Sequence, residues 1–186
     1  MSRRPDERRD RILEQLALML ESPEAGGRIT TAALAARLEV SEAALYRHFA
    51  SKAQMFEALI EFIEATLFGL VNRVQAEAPA AQQAGQIVAL LLGFASRNQG
   101  MTRILVGDVL VNEDPRLQAR VAQLMDRLEA SLRQSLRLAR PGDSDSAERA
   151  NLLLCFVVGR WQQLVRSGFK RDPLEAWARL LPLLAP

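Results

Sequence analysis

From Arg28 to Glu64 the chain reads RITTAALAARLEVSEAALYRHFASKAQMFEALIEFIE, with a hydroxyl standing ahead of each of three successive apolar helix faces. Leu34, Ala35 and Leu38 recur at the three-to-four spacing of one face, and Thr30 or Thr31 is placed to cap it. After a turn at Glu39 and Val40, Ser41 caps a second short helix. It turns Ala44, Leu45 and Phe49 inward and leaves Glu42, Ala43, Tyr46, Arg47 and His48 outward. Ser51, with Gln54 three residues on, opens a third and much longer helix in a capping-box pattern.

Two short capped helices joined by a tight turn and followed by a long one form a helix-turn-helix. In such a motif the second helix enters the major groove with its N-terminal residues near base edges, and flanking donors fix its register on phosphates. The residues expected at double-stranded DNA are Thr30, Thr31, Ser41, Glu42, Ala43, Tyr46, Arg47, His48 and Lys52. Taken singly, each has a plainer reading. Tyr46 and His48 would be packing residues, Arg47 and Lys52 solvated charges, and Thr30 and Thr31 caps without a ligand. The surrounding pattern is what assigns them.

Composition bounds the rest. The 186 residues suit one or two domains, and 49% hydrophobic content is ample for a core. A net charge of +2 is weak support for nucleic-acid binding, so the DNA reading rests on where the donors sit. Arg3, Arg4, Arg8, Arg9 and Arg11 gather near the start of the first helix, either to reach backbone phosphates or as a solvated arm. Cys155, the only cysteine, lies in an apolar segment and is expected to pack; disulfide scaffolds and zinc sites need more ligands. The start of the chain is charged and no apolar run approaches membrane-spanning length, from which a cytoplasmic location is expected. No metal cluster, phosphate-cradling glycine loop or nucleophile with a base is recognisable, and His48 has no catalytic partner. Neither an enzyme nor a cofactor is expected.

The whole chain reads as all-α. Helices are expected near 5–21 (Ile12, Leu16, Met19 and Leu20 inward), 51–76, 80–97, 101–111, 115–138, 145–168 and 173–184, besides the two short ones, about nine in all. Loops are expected at SPEAGG and at PGDSDS, residues 141–146. The organisation expected is a DNA-binding domain over residues 1–52 and a helical dimerisation and partner-binding domain over 53–186. The segment NLLLCFVVGRWQQLV is apolar around nearly its whole circumference, as for a helix buried on two sides. A homodimer would supply the second side, and a two-fold dimer is what half-sites one helical turn apart require. Its neighbour could be the Leu117, Val121, Leu124, Leu128, Leu132 stripe or the Leu174, Trp177, Leu181 helix; an intradomain core explains either equally well.

The stretch ALYRHFASKAQMFEAL closely resembles the end of the DNA-binding domain of TetR-type regulators. Those proteins usually carry Gly at the turn where this chain has Glu39, so a left-handed backbone there would cost on the order of 1 kcal/mol. A slightly different turn is an alternative. Many members of the family bind a small molecule in the second domain, which makes a ligand-responsive repressor the alternative function.

A closer resemblance covers nearly the whole chain. LALMLE, RITTA, SEAALYRHF, LIEFIE, LLLGF followed by RN, TRIL and VRSGFK are similar in order and spacing to the nucleoid occlusion factors of that family. What this resemblance implies is a dimer on palindromic chromosomal sites, with higher-order assembly on DNA left open. It would capture the tubulin-like division protein FtsZ and break up its polymers, associated with the nucleoid and needing no small molecule. The FtsZ C-terminal tail would lie in a groove between the long helix and the next one, at positions matching Phe62, Leu90, Gly93, Arg97 and Asn98. Gly93 costs a helix about 1 kcal/mol relative to Ala, which close approach of a peptide, or helix packing, would explain. Arg97 and Asn98 also suit a helix C-terminus on general grounds. Leu70 stands where the family tends to carry Arg, with Arg73 one turn on.

Overall fold

The computed structural model describes residues 5–21 and 29–184, and among them no strand occurs. The helices are α1 (Pro5–Glu21), α2 (Thr31–Arg37), α3 (Glu42–Tyr46), α4 (Lys52–Glu77), α5 (Ala80–Arg97), α6 (Gln99–Val106), α7 (Pro115–Ala139), α8 (Ser146–Arg166) and α9 (Trp177–Leu184). A 3₁₀ turn, Asp108–Leu110, follows α6. The SPEAGG loop, Arg3 and Arg4 lie outside the described residues.

Three helices differ from the sequence expectation, each for a local reason. The helix expected over 101–111 starts at Gln99 and stops at Val106, because Gly107 takes a left-handed φ of 79° while its N–H still donates to the Arg103 and Ile104 carbonyls at 3.1 and 3.0 Å. The last helix begins at Trp177 rather than 173. Asp172 Oδ1 accepts from the Leu174 N–H at 3.0 Å, and Ala176 sits at φ 62°, so the chain turns before it winds. Helix α8 ends at Arg166 in a Schellman motif: the Phe169 N–H donates to Leu164 O at 2.9 Å and the Gly168 N–H to Val165 O at 3.0 Å, with Gly168 left-handed.

The chain divides into two compact units, Met1–Ile63 with Gln99–Val121, and Glu64–Asn98 with Ala122–Pro186. In the first, Ile12, Leu13, Leu16 and Leu20 of α1 are buried, as are Leu34, Leu45, Phe49, Phe56 and Ile104, while Met19 is half-buried. Helix α6 packs closely on α1. A Cβ on Gly100 would stand 2.0 Å from the Ala17 carbonyl oxygen, so the two backbones meet where only glycine fits. Buried Arg103 donates to Leu20 O at 3.2 Å, closing the carbonyl end of α1, and Asp108 holds its Nε at 3.0 Å.

The second unit is knitted by side-chain bonds to backbone. Trp161 Nε1 of α8 donates to Leu91 O of α5 at 3.0 Å, and buried Gln83 donates to Gln75 O and Ala78 O, satisfying the end of α4. Gln75 in turn donates to Ser131 O and Ser135 Oγ at 3.2 Å. Leu124, Leu128 and Leu132 of α7 are buried, and Leu117 and Val121, which belong to the first unit, are buried as well, so the stripe is already covered within the chain. Helix α8 buries Leu153, Leu154, Val157, Trp161 and Leu164, and turns Leu152 (49% exposed), Cys155 and Gly159 outward. The packing role expected for Cys155 is therefore not met within the chain: it is exposed. Periodicity in an all-apolar helix leaves its inner face unspecified, and Trp161 decides it here.

Candidate functional site

The helix-turn-helix is built from local caps. Thr30 has extended backbone (φ −104°, ψ 151°), and its Oγ accepts the Ala33 N–H at 3.1 Å, so Thr30 rather than Thr31 caps α2. Ser41 does the same for α3, accepting from the Ala44 N–H at 3.3 Å. The turn between them is another Schellman closure. The Glu39 N–H reaches Ala36 O at 3.1 Å and the Val40 N–H reaches Ala35 O at 3.0 Å. Glu39 stands at φ 56°, so the turn keeps the left-handed geometry despite the missing glycine. Leu45 and Phe49 are buried beneath α3, with Ala44 half-buried.

Above that floor Glu42, Ala43, Tyr46 and Arg47 are exposed, and His48 is half-buried. Three residues of the expected set come together in a chain of hydrogen bonds: Tyr46 Oη donates to Thr31 Oγ1 at 3.4 Å, and Thr31 Oγ1 donates to Glu42 Oε2 at 2.5 Å. Arg47 ends α3 at its C-cap. Arg8, Arg9 and Arg11 are exposed on α1, and the Arg9 guanidinium lies 4.8 Å from the centre of the Phe49 ring, which ties that cation to the reader's floor.

Lys52 is engaged elsewhere. Its ammonium pairs with the Glu113 carboxylate, with side-chain exposures of 23% and 12%, and lies 5.5 Å from the centre of the Phe56 ring. A phosphate would have to compete with Glu113 for it. Next to Glu113, Asp114 starts α7. The Arg116 side chain and then its N–H donate to the Asp114 carboxyl, which holds its pKa down at about 2. At the start of α4, Ser51 Oγ accepts the Gln54 N–H at 3.2 Å, while Gln54 Oε1 accepts the Ala50 N–H at 2.8 Å. That is the expected box shifted by one donor.

The residues expected at the FtsZ tail fall in different units. Phe62 belongs to the first and is 48% exposed. Leu90, Gly93, Arg97 and Asn98 all lie in the second, on α5 or at its end. Leu90 is half-buried and Arg97 exposed. Arg97 folds back along the helix: the atoms nearest to a Cβ built on Gly93 are its Nη1 and Nη2, both at 3.6 Å. No packing neighbour comes closer, so the fold itself does not demand glycine there. Asn98 Nδ2 donates to Phe94 O at 2.8 Å and ends α5. The second unit also holds a cavity of about 520 Å³ lined by Gly85, Leu136, Arg140, Arg149, Trp177 and Leu181 among others. Neither the Lys52–Glu113 pair nor the Tyr46–Thr31–Glu42 chain was anticipated from sequence. Among the described residues no group of three or more His, Cys, Asp or Glu could hold a metal ion, and no helix is long and apolar enough to cross a membrane.

Residues 26–59 match the family model described as bacterial regulatory proteins, tetR family. Residues 81–185 match the SlmA-like model, described as tetracyclin repressor-like, C-terminal domain. Among curated proteins, the chain is 48% identical over 192 residues to the nucleoid occlusion factor SlmA of Marinomonas sp. (strain MWYL1), covering 100% of this chain and 96% of that protein. It is 52% identical over 174 residues to SlmA of Alteromonas mediterranea, covering 90% and 89%. Among solved structures, the fatty acid degradation regulator FadR from Bacillus halodurans superposes with a TM-score of 0.77 at 12% identity, over 100% of this chain and 97% of that one. At that identity the likeness bears on the fold alone.

Proposed function

Since the chain belongs to the SlmA family of nucleoid occlusion factors, TetR-type DNA-binding proteins, we propose that it acts as a DNA-bound homodimer that captures FtsZ and breaks up its polymers, so that septa do not form over the nucleoid. The observation that carries the DNA half is the capped α2–α3 pair, which holds Thr31, Glu42, Tyr46 and Arg47 outward over a buried Leu45 and Phe49. Residues 1–52 are the DNA-reading domain in this reading, and residues 53–186 carry dimerisation and partner binding. Thr30, Ser41, Ala43 and His48 line the same reader, and Lys52 joins it by exchanging Glu113 for a phosphate.

The dimer is assigned to the outer face of α8, where Leu152, Cys155 and Gly159 stand exposed in the single chain. A second copy would cover them and give Cys155 the packing it lacks. Phe62, Leu90, Gly93, Arg97 and Asn98 are assigned to the FtsZ tail. The exposed Arg97 supports this, because its guanidinium, folded back over the buried Gly93, offers an extended acidic peptide a charged hydrogen-bonding partner. DNA acts as the activating partner, and α4 runs unbroken from Lys52, beside the reader, past Phe62.

The test is FtsZ polymer sedimentation with and without a palindromic duplex selected by the protein. Polymers are expected to fall when protein and duplex are both present; undiminished polymers would end the proposal. A second reading, a ligand-responsive repressor, is favoured by the cavity of the second unit. Few chromosomal sites beside one promoter, and release from DNA by a small molecule, would support it instead.

A further inference from the structure

The hydrogen-bond chain on the reader has a direction. A hydroxyl has one proton to donate. Tyr46 gives its proton to Thr31, and Thr31 gives its own to the Glu42 carboxylate at 2.5 Å. Two of the reader's hydroxyl donors, Tyr46 and Thr31, are thus committed and end on a negative charge, which makes the Thr31–Glu42 bond stronger than a neutral one. That charge is exposed at the first position of α3, the helix that would enter the groove. Left where it is, it repels phosphates and keeps the two donors from them. A carboxylate can only accept, so docking favours Glu42 only where a base edge offers it a proton. In the major groove cytosine presents the N4 amine as its sole polar group, whereas adenine sets N7, an acceptor, beside N6, and thymine and guanine present acceptors only.

We propose that Glu42 is a specificity-determining residue of the reader: it withholds the Thr31 and Tyr46 hydroxyls from phosphates until its carboxylate accepts from the N4 amine of a cytosine. This rests on the DNA-reading function proposed above and adds the base that Glu42 reads. At a cytosine, Glu42 turns to the base and both hydroxyls become free for phosphates; elsewhere the chain stays closed and the protein binds loosely. Discrimination and affinity are thereby linked through one side chain.

The test starts from a pool of duplexes with a randomised centre, enriched by the wild-type protein. Affinities are then measured for the selected duplex, for the same duplex with each C·G pair changed in turn to T·A, and for an unrelated duplex. The wild type is expected to lose about tenfold or more at one cytosine. Glu42→Ala should lose that penalty while binding the unrelated duplex at least as tightly as the wild type. Glu42→Gln keeps an acceptor for Thr31 and should move the preference at that position to adenine, since an amide pairs with N6 and N7. The proposal is overturned if Glu42→Ala keeps the wild-type penalty at every cytosine, if it weakens selected and unrelated duplexes equally, or if Glu42→Gln still prefers cytosine. A wild type that enriches no duplex overturns the DNA-reading function, and this proposal with it. Melting temperatures of both variants check the fold; should Glu42→Ala not fold, the base preferred by Glu42→Gln decides alone.

Discussion

The face over α3 and the end of α5, the two sites of the proposed function, are built in opposite ways. On α3 the polar side chains are present and already bonded to one another, Tyr46 to Thr31 to Glu42. On α5 the polar group is a lone exposed cation, the Arg97 guanidinium laid over the buried Gly93. The first arrangement suits reading, because a ligand must replace bonds that exist and only a matched edge can do so. The second suits capture of a flexible peptide, because one exposed cation accepts many conformations and asks little of sequence.

The sharpest way to break this contrast is from below the reader. Leu45 is 1% exposed, and Leu45→Ala should destabilise the first unit by about 2–5 kcal/mol. Thermal melting would show it, and DNA binding should be lost with the fold. Arg97→Asp should leave duplex affinity intact and weaken the FtsZ tail by about 2 kcal/mol or more, as for a hot spot. Titration of the tail peptide reads this directly, and unchanged affinity would remove Arg97 from the site. Tyr46→Ala should weaken duplex binding by about 1.5 kcal/mol with the melting temperature kept, the size of a hydrogen bond to a charged group. Glu39→Gly should stabilise the α2–α3 turn by on the order of 1 kcal/mol, because the left-handed position at φ 56° then carries no Cβ. Smallest of all, Glu113→Gln should free Lys52 for a phosphate. A few-fold gain in duplex affinity is expected, with a salt slope steeper by about one unit.

How far the molecule is legible in its sequence depends on how local each feature is. Thr30, Ser41 and Ser51 cap their helices through donors three residues away, and helical spacing is enough to find them. The start of α9 escapes because an Asp172 turn and a positive φ at Ala176 leave no periodic trace. Lys52 and Glu113 are 61 residues apart and no pattern links them. Cys155 is misplaced because hydrophobicity on every side of α8 does not say which side is inner. At the reader, spacing supplies the residue types, but only the packed α2–α3 pair shows that Thr31 and Tyr46 have already given their protons away. At α5, the resemblance supplies Gly93, and the fold adds that no core packing requires it.

In the proposed function, DNA-bound protein is the form that captures FtsZ. The most direct test is the affinity of the FtsZ C-terminal tail peptide, measured for the free protein and for the protein saturated with its palindromic duplex. A gain of roughly fivefold or more on DNA is predicted, within the usual range of coupling between two sites. Equal affinities in the two states would contradict it.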